Sequence, residues 1–220
     1  MIKYLFFDFD GVVIDSEPIY QMCWIGVCKE YGFDLSPEQE LKLRSRDHQM
    51  TEDYFHELFG PTADYHKIHA ARVKLMEEYL KTHQFPLKPG VLEVFKYIKE
   101  KTDIKIAIVT SSSIEYVNRH GGCNNILSYL DKIISVRNMP RGKPFPYVYL
   151  AALKEADVNK DEVIVLEDSN NGVSSAYEAG LKVVFVEDLS PVDEEIKNKS
   201  EYQIRDIREL LNILNPYFIR

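Results

Sequence analysis

Two carboxylates one residue apart, Asp8 and Asp10, close the apolar run Tyr4-Leu5-Phe6-Phe7-Asp8-Phe9-Asp10-Gly11. Acids this close to apolar residues are costly unless a metal ion or a cationic group offsets them. Three other short stretches carry complementary chemistry. Thr110-Ser111 offers a hydroxyl and a backbone amide at a helix start, which suit phosphate oxygens. Lys143, in Gly142-Lys143-Pro144, supplies a positive charge. Glu167-Asp168 is a second acid pair. Hard oxygen ligands from Asp8, Asp10 and Asp168 suit Mg²⁺, which binds through few carboxylates and keeps several waters. Together these groups ask for an anionic substrate bridged to a magnesium ion.

The elements that must position these residues can be read from the hydrophobic pattern. The run from Tyr4 predicts a buried strand that stops at Asp8. Ile104–Val109, Lys132–Val136, Val163–Leu166 and Lys182–Val186 predict further strands, separated by helices over 91–101, 114–120, 146–156 and 171–179, with a last helix over 207–214. The glycines at 121 and 122 are expected to shorten the helix that precedes them. Alternating strands and helices imply a parallel sheet covered on both faces. Ligands gather at the carboxyl ends of such strands, where the polar residues stand. Between Val13 and Phe85 the pattern changes to helices only, over about 16–31, 36–44, 51–60 and 63–83. The expected architecture is α/β: a three-layer Rossmann-like core of residues 1–13 and 85–220, with an inserted helical cap of residues 14–84.

Composition narrows the function classes. The chain has 220 residues, 45% hydrophobic and 28% charged, as a globular protein with a sizeable core does. A net charge of −8 without a basic run disfavours nucleic acid and anionic membranes as partners. No stretch reaches the roughly 20 apolar residues of a membrane span. Cys23, Cys28 and Cys123 have no metal-like spacing and are expected to be free thiols in a reducing cytoplasm.

Asp8-Phe9-Asp10-Gly11, Thr110-Ser111, Gly142-Lys143-Pro144 and Leu166-Glu167-Asp168-Ser169 resemble the four ordered motifs of the haloacid dehalogenase-like phosphohydrolase superfamily. Asp15-Ser16-Glu17 and Asn170-Asn171-Gly172 are similar to its beta-phosphoglucomutase-like branch, which includes many sugar-phosphate phosphatases. The resemblance spans nearly the whole chain. It implies that Asp8 is the nucleophile and forms an aspartyl-phosphate. It implies that Asp10 is general acid and then base, its carbonyl also facing the metal. Thr110, Ser111 and Lys143 would hold the phosphoryl group, and Asp168 with Glu167 would complete a Mg²⁺ site.

The implied function is a Mg²⁺-dependent phosphatase acting on a small phosphorylated metabolite, expected as a monomer. The alternatives are a phosphosugar mutase and a non-catalytic phosphometabolite-binding protein. The chain departs from the mutase pattern at Tyr20, where those relatives carry a histidine. Phe145 and Tyr147 follow Lys143 where an acid is common. In the cap, Arg46 and Tyr20 are candidate substrate contacts, with Arg44 and His48 nearby. Tyr20 and Trp24 share a helix face and are candidates for a sugar-stacking wall, with core packing as the competing role.

Overall fold

Strand β1, Tyr4–Phe7, has all four side chains buried, as an unbroken apolar run requires of a strand covered on both faces. The structure is a computed structural model that describes residues 1–43, 48–137, 141–189 and 193–215. Its other strands are β2 (Lys105–Thr110), β3 (Lys132–Ser135), β4 (Val163–Glu167), β5 (Lys182–Val186) and β6 (Tyr202–Ile204). They form one parallel sheet in the order β3-β2-β1-β4-β5-β6. The helices are α1 (Glu17–Glu30), α2 (Pro37–Leu43), α3 (His48–Phe59), α4 (Tyr65–Tyr79), α5 (Val91–Lys101), α6 (Ile114–Cys123), α7 (Tyr147–Ala156), α8 (Asn170–Glu178), α9 (Glu194–Lys199) and α10 (Leu210–Leu214).

Successive strand residues point to opposite faces. Phe6 lies in a buried cluster with Val148, Tyr149 and Ala152 of α7, Val173 and Ala176 of α8, and Ile196 of α9. Phe7 instead meets Phe95 of α5 edge-on, with ring centres 5.0 Å apart. The sheet is therefore a middle layer between two layers of helices, the Rossmann-like α/β arrangement that the alternating pattern predicts.

The chain divides into two compact units, one of Met1–Asp15 with Pro86 onward, the other of Ser16–Phe85. The sheet unit holds on to Ile14 and Asp15 through bridges from Ile14 to Asp10 and Leu87, and through the Asp15 amide on the Pro86 carbonyl at 2.8 Å. The helical unit has its own core of Trp24, Val27, Cys28, Leu35, Leu43, Phe55, Ala63, Tyr65 and Ile68.

Several local expectations need correction. Helix α6 continues through Gly121 and Gly122 to Cys123 rather than stopping at His120. Gly121 is there for packing, since a Cβ would sit 2.9 Å from Leu127 Cδ2. Helix α3 starts at His48, before Thr51, and α4 ends at Tyr79, before His83. Elements α9 and β6 lie where the pattern predicts none. Each buries a single residue, Ile196 in one and Ile204 in the other, too little to produce a period. Among the described residues no helix is long and apolar enough to cross a membrane.

Candidate active site

The strand order reverses direction at β1, whose neighbours are β2 on one side and β4 on the other. In open α/β sheets the crevice beyond the strand ends at such a point receives the ligand. Phe7 pairs with Leu166, and the Asp8 amide donates to the Leu166 carbonyl at 3.0 Å. Asp8 and Glu167 therefore leave adjoining strands at the same level. Thr110 ends β2 on the other side of β1.

Lys143 ties the two acids together. Its Nζ lies 2.6 Å from Asp8 Oδ1 and 2.5 Å from Glu167 Oε1. Asp8 and Glu167 are both buried. Burial pushes the Asp8 carboxyl above the ordinary carboxylate range, against the opposing charge of Lys143. Burial works to lower the Lys143 ammonium, but the charges of Asp8 and Glu167 outweigh it and hold the group protonated. The lysine loop is anchored by a turn from the Phe145 amide to the Gly142 carbonyl, and by Ser175 Oγ of α8, which donates to the Phe145 carbonyl at 2.6 Å.

Glu167 has partners that sequence reasoning did not single out. The buried Tyr149 hydroxyl donates to Glu167 Oε1 at 2.5 Å. Ser169 caps α8 by accepting from the Gly172 amide at 3.0 Å. A Cβ at Gly172 would lie 2.0 Å from Glu167 Oε2, so the glycine makes room for the carboxylate. The only sequence signal for Tyr149 is its place on the buried face of a helix that follows Lys143.

Asp10 is held from a different direction. Ser112 Oγ donates to its Oδ2 at 3.1 Å, and the Tyr116 hydroxyl donates to its Oδ1 at 2.9 Å. Thr110, whose side chain is buried, accepts the Ser112 amide on Oγ1 at 3.0 Å. Its hydroxyl oxygen thus shapes the turn after β2, and Ser111 lies exposed in that turn.

Carboxylate oxygens of Asp8, Glu167 and Asp168 lie within 4.8 Å of one another. A cluster of hard oxygen donors, two of them buried and Asp168 half-buried, is what a small divalent cation takes, so these residues fit the expected Mg²⁺. The Asp10 carboxylate is not part of this cluster, being engaged by Ser112 and Tyr116. Gly11, at φ +79°, admits the cluster: a Cβ there would fall 2.0 Å from Asp168 Oδ2 and 3.1 Å from Asp188 Oδ2. Asp188 accepts from Lys88 at 2.8 Å through its other oxygen, and Lys88 also lies 3.5 Å from Asp15.

In the helical unit, Tyr20 stacks on Phe85, ring centres 5.9 Å apart, and the Arg72 guanidinium lies 5.5 Å from its ring. Trp24 packs against Phe55, Tyr65 and His69 in that unit's core, the role that competed with a sugar-stacking wall. Arg44 and Arg46 lie outside the described residues.

The sequence pattern of the haloacid dehalogenase-like hydrolase family matches residues 5–186. The chain belongs to that family. A phosphorylated carbohydrates phosphatase of Thermotoga maritima is 28% identical over 187 residues, which are 81% of this chain and 82% of that protein. Hexitol phosphatase B of Escherichia coli is 27% identical over 186 residues, 82% of this chain and 81% of that enzyme. The crystal structure of a beta-phosphoglucomutase from Clostridium difficile superposes with a TM-score of 0.74 at 20% identity, covering 100% of both chains, a likeness of fold. This haloacid dehalogenase-like protein is an enzyme, and its expected class, phosphoric monoester hydrolase, agrees with the names of the phosphatase relatives.

Proposed function

We propose that this protein is a Mg²⁺-dependent phosphatase of the cytoplasm that hydrolyses a small phosphorylated metabolite, a sugar phosphate, through an aspartyl-phosphate on Asp8. The observation that carries the reading is the Lys143 ammonium shared between Asp8 and Glu167, with Asp168 beside them. Lys143 aims one oxygen of Asp8 and offsets the charge that two anions bring together. This is positioning and electrostatic stabilisation, the main source of rate in phosphoryl transfer. Asp8 and Asp168 would hold Mg²⁺, with Glu167 beside it and the Asp10 carbonyl facing it. When bound, the ion supplies further neutralisation of phosphoryl charge.

In the first step an Asp8 carboxylate oxygen bonds to phosphorus as the phosphorus–oxygen ester bond breaks, and the departing oxygen takes a proton from Asp10. In the second, Asp10 takes a proton from water as the water oxygen bonds to phosphorus and the Asp8–phosphorus bond breaks. Asp8 is regenerated and inorganic phosphate leaves. Thr110 and Ser111 contact the phosphoryl oxygens. In this reading the sheet unit is the catalytic domain and Ser16–Phe85 is the cap, with Tyr20 and Arg46 the cap residues proposed to select the substrate.

The names of the relatives support a carbohydrate or sugar-alcohol phosphate as substrate. The fold likeness to a beta-phosphoglucomutase keeps a mutase as the second reading. A panel of phosphorylated sugars and sugar alcohols, assayed for phosphate release and for isomerised product, separates the two. Steady phosphate release without isomer supports the phosphatase; isomerisation without phosphate release overturns it.

A further inference from the structure

Asp10 follows a strand end in a tight turn, where the Gly11 amide donates to Ile14 O and the Val13 and Ile14 amides donate to Phe9 O. The turn fixes the backbone, while the direction of the carboxylate is set by two further side-chain torsions. A proton donor must be aimed, since its efficiency depends on reach and direction to the departing oxygen. The aim comes from the loop after β2 and the first turn of α6.

Tyr116 is built to stay where it is. Its ring stands edge-on to Phe9 at 6.0 Å, next to Asp10 in the chain, and packs against His120 at 4.4 Å. Its amide donates to Ser113 Oγ, the N-cap of α6, at 3.1 Å. The hydroxyl at the end of this wedged ring donates to Asp10 Oδ1. Ser112 is held at its backbone, by Thr110 Oγ1 on its amide and by Ser135 Oγ on its carbonyl at 2.7 Å. Its own hydroxyl can turn away by a change of rotamer, which the tyrosine hydroxyl cannot.

We propose that Tyr116 is a positioning residue for the proton transfer: with Ser112 as the exchangeable partner, it points the Asp10 carboxyl at the oxygen that leaves phosphorus. The inference rests on the reading of Asp10 as general acid. Tyr116 touches Asp10 and acts on the substrate through it. In the step it serves, the phosphorus–oxygen bond breaks, the electron pair stays on the departing oxygen, and the Asp10 proton follows.

A leaving group that departs readily as an anion needs little help from a proton, whereas a poor one needs much. Phenyl phosphate and 4-nitrophenyl phosphate differ by one nitro group and so probe this need with nearly the same shape. The quantity to read is kcat/KM with Mg²⁺ present, which covers the steps through release of the phenol. Tyr116→Phe keeps the ring and its packing. It is expected to lower kcat/KM about tenfold for phenyl phosphate and no more than about twofold for 4-nitrophenyl phosphate.

Ser112→Ala, which leaves the ring untouched, is expected to give the same bias at about threefold and keeps the test open if the tyrosine variant does not fold. Equal losses on both substrates in a folded Tyr116 variant would mark the residue as structural and overturn the proposal. Asp10→Asn is the control for the underlying reading and is expected to show the largest bias. If it shows none, the assignment of Asp10 falls, and the clamp with it. If Asp10→Asn shows the bias and Tyr116→Phe does not, the clamp alone is refuted.

Discussion

Lys143 donates to Asp8 across 2.6 Å although 135 residues separate them in the chain. The same ammonium lies 2.5 Å from Glu167, whose side chain is fully buried. One cation thus offsets two buried acids. Removing it leaves both uncompensated in a low-dielectric site, which is more damaging than losing a surface pair. Lys143→Met is therefore expected to lower stability by about 3 kcal/mol or more and to abolish phosphate release. Urea unfolding at neutral pH measures the first; a variant as stable as the parent would show that the pair contributes nothing net.

Asp8→Asn keeps the size of the side chain and removes the proposed nucleophile. Phosphate release should fall by at least about a thousandfold, the loss typical of a missing covalent step. Wild-type turnover in a purified, folded Asp8→Asn protein would end the assignment of Asp8.

The acid cluster predicts a metal effect that can be read without turnover. A ligand that binds only the folded chain stabilises it, by about 2.7 kcal/mol at a hundred times its dissociation constant. Mg²⁺ added to chelator-treated protein should raise the melting temperature, and Asp168→Asn should lose most of that rise. Phosphate release should stop in EDTA and return with excess Mg²⁺. Full activity in EDTA would sink the metal assignment.

Gly172→Ala places a methyl group 2.0 Å from Glu167 Oε2. The carboxylate must move, and with it the contacts to Tyr149 and Lys143. An overpacked site of this kind costs about 1–3 kcal/mol. Denaturant unfolding should show that loss, alongside a drop in kcat. An alanine variant equal to the parent in both would contradict the close approach.

His120 is buried, and burial, with the charge of Arg119, holds its imidazole down to about 4. The unfolded chain takes up this proton nearer about 6.5. Between those values the unfolded state binds more protons, so stability rises with pH across the window and falls as pH drops from about 6.5 to about 4. The full effect is at most about 3 kcal/mol. His120→Gln should flatten the unfolding midpoint over that range; an unchanged slope would rule out the histidine as its source.

Strand ends and motif residues were legible because their signals are local. An apolar run that stops at an acid announces both a buried strand and a polar site at its carboxyl end, as Tyr4 to Asp10 and Val163 to Asp168 do. Helix α5 falls on the expected residues because its buried face, Val91, Val94, Phe95 and Ile98, repeats at helical spacing. Strand β6 was not legible, since one buried residue among three makes no period. The glycines of α6 misled for a related reason: glycine disfavours a helix locally, but Leu127 packing on Gly121 outweighs that cost.

Residue types and their spacing, then, were sufficient for the α/β alternation, the all-helical insertion and the choice of Asp8, Asp10, Thr110, Lys143, Glu167 and Asp168 as candidates. These depend on neighbours in the chain, where periodicity and turn chemistry act. Which group holds which carboxylate depended on the packed fold. The Tyr149 hydroxyl on Glu167, Ser112 and Tyr116 on Asp10, and the space at Gly172 join residues that sheet order and helix packing bring together. A hydrogen bond is decided within a few tenths of an ångström, a precision that hydrophobic patterning does not reach and that only the packing of strands and helices supplies.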